Sequence, residues 1–153
     1  TDAACSAQVV RRVKKAIEGA ALVPGPTVSV ERVPAYSAKG PCLKLNELVR
    51  ENARAFDAPQ VAPPRETTGS TDFGNVMYEI PGSCIRMAFV PVGTPAHSQE
   101  YLNAGKSEEA HQAVRLSAEI LAGTCLDILE RPELMDEIRA DFTQRKKQMA
   151  ERL

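Results

Sequence analysis

Several features that define common protein classes are missing from this sequence of 153 residues. It has no tryptophan and only 5% aromatic residues, and no apolar run approaches the ~18 residues that a membrane-spanning helix needs. Basic and acidic residues nearly balance, 19 against 20, for a formal net charge of −1. The short apolar runs exclude a transmembrane protein, and the charge balance excludes a broad electrostatic nucleic-acid binder.

The cysteines form no recognisable metal or redox motif. Cys5, Cys42, Cys84 and Cys125 are dispersed without a C-x-x-C pair, which excludes a zinc ribbon and a thioredoxin-like site. No apolar signal-peptide core opens the sequence, and a chain of this size needs no disulfides. We therefore expect four reduced thiols in a cytoplasmic protein, with Cys5 and Cys125 buried on helices. Because no methionine opens the sequence, we also expect a processed chain or a piece of a longer one.

Helical periodicity marks three parts of the chain, and 43% hydrophobic residues suffice for a core. Residues 2–23 and 43–56 each show an apolar stripe. A third helical region begins after Ser107, a predicted N-cap, and breaks at Pro132. Its predicted buried stripe consists of Val114, Ala118, Leu121, Cys125 and Leu129, continued after the break by Leu134, Ile138 and Phe142. We expect the charged end, 146–153, to fray.

Two segments have the pattern of β-strands. Residues 27–33 alternate apolar and polar side chains with β-branched Thr and Val, as in a half-buried strand, and residues 84–90 resemble a buried strand. The proline-containing segments 34–41 and 57–68 are predicted connectors, the first of them a domain boundary. A helix, a turn and a strand make half of an α/β sandwich, whose other strands we expect to lie outside this chain.

The densest group of small polar residues lies at 67–75. Gly69, Ser70, Thr71 and Asp72 precede a possible helix, where exposed backbone N–H groups can hold a carboxylate or a phosphate. The alternative is structural, with Ser70 or Thr71 capping a short helix and Asp72 satisfying a turn. No Gly-Lys-Ser/Thr follows, which excludes a Walker loop.

A histidine follows the second predicted strand. His97 ends the loop 91–97, with Glu100 and Tyr101 close behind, and imidazole is a common zinc ligand. A protein metal site needs three or four ligands, however, and no second His or Cys lies at ligand spacing. The alternative is a surface or structural histidine. His111, in the first turn of a helix, is predicted to be solvated.

The order and spacing of these segments resemble the C-terminal portion of the M20-family metallopeptidases, in the branch of aminobenzoyl-glutamate hydrolases and M20 domain-containing dipeptidases. The resemblance rests on GSTDFGNV at 69–76, Pro81-Gly82, HSQEY at 97–101, SEEAH at 107–111 and LAGTCLDIL at 121–129. Residues 16–25 are similar to the second helix of the family's inserted lid domain.

The resemblance implies an α/β fold in two parts. Residues 1–36 would end the lid (dimerisation) α/β sandwich, and residues 41–153 would form the C-terminal part of a zinc-peptidase-like catalytic α/β domain. It also implies that His97 binds a divalent metal, zinc or alternatively manganese, and that Gly69, Ser70, Thr71 and Asp72 hold the substrate. The family's other metal ligands and its general base have no counterpart in this chain.

We therefore expect the C-terminal part of a metal-dependent amidohydrolase or dipeptidase, which hydrolyses an amide bond of an N-acyl amino acid or a dipeptide. Alone it would be inactive, and the intact protein would be a homodimer through the lid, with no nucleic-acid or membrane partner. One alternative is a non-catalytic, truncated relative that acts as a binding or accessory subunit. Another is an unrelated small α/β domain whose polar loop binds an anion.

Overall fold

A computed structural model describes residues 3–22, 25, 27–31, 33, 36, 39–40, 42–63, 69 and 71–151. Regular structure in these ranges is helical: α1 (Ala3–Ala20), α2 (Leu43–Ala55), α3 (Phe73–Met77), α4 (Gln99–Ala104), α5 (Glu108–Glu130) and α6 (Glu133–Glu151). The helices predicted at 2–23 and 43–56 are confirmed over Ala3–Ala20 and Leu43–Ala55, and residues 2 and 23 lie outside the described residues. The Ser107 N-cap and the break at Pro132 are also confirmed. Among the described residues, no helix is both long and apolar enough to cross a membrane.

The core forms where α2, α5 and α6 pack together. One cluster of its buried side chains consists of Cys42, Leu48, Leu134 and Ile138, with Leu45, Ile128 and Phe142 packed against them. The inward orientation predicted for Leu134, Ile138 and Phe142 on α6 is therefore confirmed.

Helices α2 and α5 approach each other closely at Gly123. A Cβ atom built on Gly123 would lie 2.6 Å from Cε2 of Phe56 and would also collide with Oδ1 of Asn52. Beside this contact, Nδ2 of the buried Asn52 donates to Oδ2 of Asp127 at 2.6 Å and to the Leu48 carbonyl at 3.1 Å. The close spacing of α2 and α5 therefore depends on the missing side chain at Gly123, and the buried amide of Asn52 stabilises the contact.

The buried stripe predicted for α5 is wrong. Val114, Leu121 and Leu129 are 70%, 48% and 75% exposed, and Ala118 and Cys125 are exposed as well. The buried residues lie one position away, on a face of mostly small side chains: Ala110, Ala113, Ile120 and Thr124. Small side chains on this face let α2 approach closely. The less apolar face of α5 is therefore buried, and its larger aliphatic side chains remain exposed.

The two predicted strands are not formed in the described part of the chain. The described residues of 27–33 and all of 84–90 have no regular secondary structure. A strand is stabilised by backbone hydrogen bonds to a neighbouring strand, and the described residues provide no neighbour. Even so, Ile85, Met87 and Phe89 are half-buried while Cys84, Arg86 and Ala88 are exposed, which is the alternation of a half-buried strand. The α/β sandwich is therefore not seen here.

Two further expectations are corrected. Cys5 and Cys125 are exposed, whereas Cys42 is buried, and none of the four cysteines forms a disulfide. Residues 146–151, which were predicted to fray, are helical, because α6 continues to Glu151, and residues 152 and 153 lie outside the described residues. Lys146 lies over the Phe142 ring at 5.7 Å and pairs with Glu79 at 3.7 Å. The first contact lies within α6, and the second joins α6 to the exposed segment that follows α3.

Candidate functional site

His97 lies at a sharp turn directly before α4. Its φ of +63° is in the left-handed region, which non-glycine residues adopt infrequently and in which histidine is enriched. The next residue, Ser98, is the N-cap of α4, where its Oγ accepts a hydrogen bond from the Tyr101 backbone N–H at 3.1 Å. The turn and the cap together project an exposed imidazole from the start of a short helix.

A cavity of about 470 Å³ opens beside this turn, lined by Arg86, Met87, Ala96, His97, Ser98, Tyr101 and Leu102. Tyr101 is held by an edge-to-face contact with Phe89, with ring centroids 4.8 Å apart. The cavity therefore combines an imidazole, a guanidinium, a hydroxyl and a phenol with apolar walls. Such a mixture suits a small organic ligand that carries polar groups.

The described residues do not form a metal site by themselves. No group of three His, Cys, Asp or Glu side chains in the described part of the chain lies close enough to hold a metal ion. Glu100 is engaged with the start of α4, where hydrogen bonds from its own backbone N–H and from Ser98 lower the pKa of its carboxyl group. His97 therefore offers one donor atom, and a bound metal would need ligands from outside these residues.

An aspartate of the polar loop caps the N-terminus of α3. Asp72 is the N-cap of α3, and its Oδ1 accepts from the Phe73 backbone N–H at 2.9 Å and from the Thr71 hydroxyl at 3.0 Å. Ser70 lies outside the described residues, and Gly69 is exposed. None of the loop's described residues lines the cavity at His97. Asp72 is thus the cap that the structural alternative assigned to Ser70 or Thr71, and the substrate-binding role remains a prediction.

Arg86 is the residue of the cavity that sequence reasoning missed. It stands in the apolar run 84–90, which was interpreted only as a buried strand. The sequence feature that could have identified Arg86 is that it is the single charged side chain in an otherwise apolar segment. Such a residue places a positive charge on one face of the segment. His111, in contrast, is exposed in the first turn of α5, as predicted.

The buried thiol has a structural role. Sγ of Cys42 donates to Oδ2 of Asp141 at 3.3 Å and to the Ile138 carbonyl at 3.5 Å. Burial raises the pKa of Cys42 above its ordinary value of 9.0, so the thiol stays protonated and is a poor nucleophile. Cys42 therefore belongs to the core and not to a catalytic site.

Comparison with known proteins gives a consistent set of relatives. No family model matches the chain. It is 31% identical over 150 residues to the Xaa-Arg dipeptidase of Mus musculus, covering 88% of this chain and 32% of the relative. The Xaa-Arg dipeptidase of Homo sapiens is 40% identical over 77 residues, covering 49% of this chain and 17% of the relative.

A third relative is one of the subunits of the p-aminobenzoyl-glutamate hydrolase of Escherichia coli strain K12. It is 30% identical over 88 residues, or 57% of this chain and 18% of the relative. The chain thus spans no more than 32% of the length of these curated relatives.

Proposed function

The homologues of this chain are members of the M20 family, and from this relationship we propose that the chain is the C-terminal part of a hydrolase that cleaves an amide bond. The proposed substrate is a dipeptide or an N-acyl amino acid. The observation that carries the proposal is the match over 88% of the chain to a dipeptidase. The cavity at His97 supports it, because its mixed lining suits a small polar ligand.

Our proposal gives His97 one role, the donation of an imidazole nitrogen to a divalent cation, zinc or manganese. When bound, such a cation activates water for attack on an amide carbonyl. The exposed ring of His97, projected by the left-handed turn, is accessible for ligation. Because the described residues hold no cluster of three ligands, the remaining ligands and the general base would come from elsewhere in the polypeptide. The chain alone would then be inactive.

The proposal includes an architecture. Residues 1–36 would belong to a lid domain and residues 41–153 to a catalytic domain. The segments 27–33 and 84–90 would become strands when the rest of the polypeptide supplies their neighbours. The lid would pair two copies into a homodimer in the cytoplasm, and residues 69–72 would hold the substrate.

The test compares the two histidines of the chain in a longer protein that carries the upstream segment. We expect His97→Ala to lose metal and to lower hydrolysis of dipeptides and N-acyl amino acids by roughly 100-fold or more, since even residues that only orient a metal ligand cost about 10- to 100-fold. His111→Ala, which alters the other exposed histidine, should leave both unchanged. Unaltered metal content and rate in His97→Ala would contradict the role of His97.

The exposed aliphatic faces of α1 and α5 favour a second candidate, a non-catalytic binding or accessory subunit. Val9, Val10 and Val13 of α1 are exposed, as are Leu121 and Leu129 of α5, and contiguous apolar surface is typical of interaction sites. The two candidates differ in one measurement. If the chain belongs to an accessory subunit, the longer protein will show no hydrolytic activity. The aliphatic faces of α1 and α5 would nevertheless be covered.

A further inference from the structure

Helix α1 is amphipathic and lies outside the packed core. Helices α2, α5 and α6 form that core, whereas the residues of α1 from Cys5 to Ala20 are exposed, except for the half-buried Ile17. One face of α1 carries an exposed apolar stripe that consists of Val9, Val13, Ala16 and Ala20. Most of the stability of a helix in a protein comes from the packing of such a face. Covering the stripe would therefore stabilise α1.

Helix α5 carries a matching stripe on the face that points away from the core. It consists of Val114, Ala118, Leu121 and Cys125, which are all exposed. In both stripes the successive spacings are four, three and four residues, so each stripe is about 17 Å long at 1.5 Å per residue. Alternating spacings of three and four are the pattern by which two helices pack along a shared seam. The two stripes therefore match in length and in spacing.

The two helices differ in the sign of their charge. On α1, basic residues outnumber the single acidic residue: Arg11, Arg12, Lys14, Lys15 and Glu18. On α5, acidic residues outnumber the single basic residue: Glu108, Glu109, Glu119, Asp127, Glu130 and Arg115. Two copies of α1 would repel each other, as would two copies of α5, whereas α1 and α5 attract. Charge thus favours α1 as the occupant of the stripe on α5.

We propose that α1 of one copy of this chain packs on the exposed stripe of α5 of a second copy. Both stripes are exposed within a single chain, so a second copy can cover them without rearrangement of either chain. Two-fold symmetry forms the contact twice, because α1 of the second copy covers α5 of the first. The inference goes beyond the proposed function, since it involves no hydrolytic group and joins α1 to α5 rather than lid to lid.

The oligomeric state of the full 153-residue chain tests this inference. Sedimentation equilibrium over a series of concentrations gives the dissociation constant of the dimer. Val13→Asp and Leu121→Asp each place a charge in the apolar contact, and each should raise this constant by about tenfold or more. Val92→Asp is the control and should match the wild type, because Val92 is exposed in a turn outside both helices. Circular dichroism verifies that the variants stay folded.

A mixture of the two aspartate variants distinguishes this contact from other pairings. In a dimer of either variant alone, both copies of the contact contain an aspartate. A mixed dimer keeps one intact contact, between α1 of the Leu121→Asp chain and α5 of the Val13→Asp chain. The mixture should therefore associate more tightly than either variant by itself.

Several results would overturn the inference. One is a wild-type chain that stays monomeric, whether or not it binds vesicles of phosphatidylserine through its basic helix. Another is a dimer weakened only by Val13→Asp, which would indicate pairing of two α1 helices, or only by Leu121→Asp, which would indicate pairing of two α5 helices. A mixture that associates no more tightly than either variant is a third. None of these results depends on hydrolysis by a longer protein, so failure of this inference is distinguishable from failure of the proposed function.

Discussion

At the scale of single residues, the buried amide of Asn52 shapes the ionisation of its neighbour. The hydrogen bond from Asn52, and then the hydrogen bond and the positive charge of Arg131, lower the pKa of Asp127 below its ordinary value of 3.8. Arg131 contacts the other carboxylate oxygen at 2.6 Å. The ionised aspartate therefore joins α2 to the last turn of α5.

This interaction predicts a pH dependence of stability. Because the pKa of Asp127 is lower in the folded than in the unfolded chain, its contribution is present above pH 3.8 and is lost as the pH falls through the folded pKa. Asn52→Ala should lower the free energy of unfolding at pH 7, and the difference in this free energy from wild type should narrow as the pH falls below 3.8. Urea denaturation at pH 7 and at a series of lower pH values measures this.

The control for this prediction is Asn46→Ala on the same helix, whose side chain forms no hydrogen bond to a described residue. The free energy of unfolding of Asn46→Ala should differ little from that of wild type, and the difference should not depend on pH. The proposed role of Asp127 would be contradicted if the difference in free energy of unfolding between Asn52→Ala and wild type stayed constant or grew as the pH fell.

At the scale of elements, the contact between α2 and α5 depends on Gly123. Gly123→Ala should destabilise the fold by about 1–3 kcal/mol, as overpacking does, because the new methyl group meets Phe56 and Asn52. Gly19→Ala is the control, since nothing lies within 4 Å of a Cβ at that position in α1, and it should raise helix content. Thermal unfolding followed by circular dichroism reports both. A stabilised Gly123→Ala would show that α2 and α5 do not approach so closely.

The elements also show what sequence patterns can and cannot reveal. The bounds of α2 and the Ser107 cap were predictable, because spacing and capping are local properties. The orientation of α5 was not, since Gly123 and the alanines of the buried face matter only once α2 lies against them. The predicted strands failed for a related reason: pairing requires a neighbour that 84–90 does not find among the described residues. In the site, His97 was identifiable by residue type, whereas the cavity that joins it to Arg86 depends on tertiary structure.

At the scale of the whole molecule, α5 has one face buried in the interior and one aliphatic face exposed on the surface. Ile120 is 0% exposed and Leu129 is 75% exposed, although both are large aliphatic residues on one helix. Ile120→Ala should cost about 2–5 kcal/mol of folding free energy, while Leu129→Ala should cost less than about 0.5 kcal/mol. Urea denaturation of the two variants measures the contrast. Equal costs would mean that the face carrying Leu129 is buried in solution.

The backbone at His97 restricts which residues evolution can place there. A left-handed conformation costs most L-residues about 1–2 kcal/mol, and it is adopted most readily by glycine, asparagine, aspartate and histidine. Of these four, aspartate and histidine carry side chains that could ligate the cation that we propose. The backbone conformation therefore narrows the choice of ligand at position 97, and a cysteine or glutamate there would add about 1–2 kcal/mol of strain to the turn.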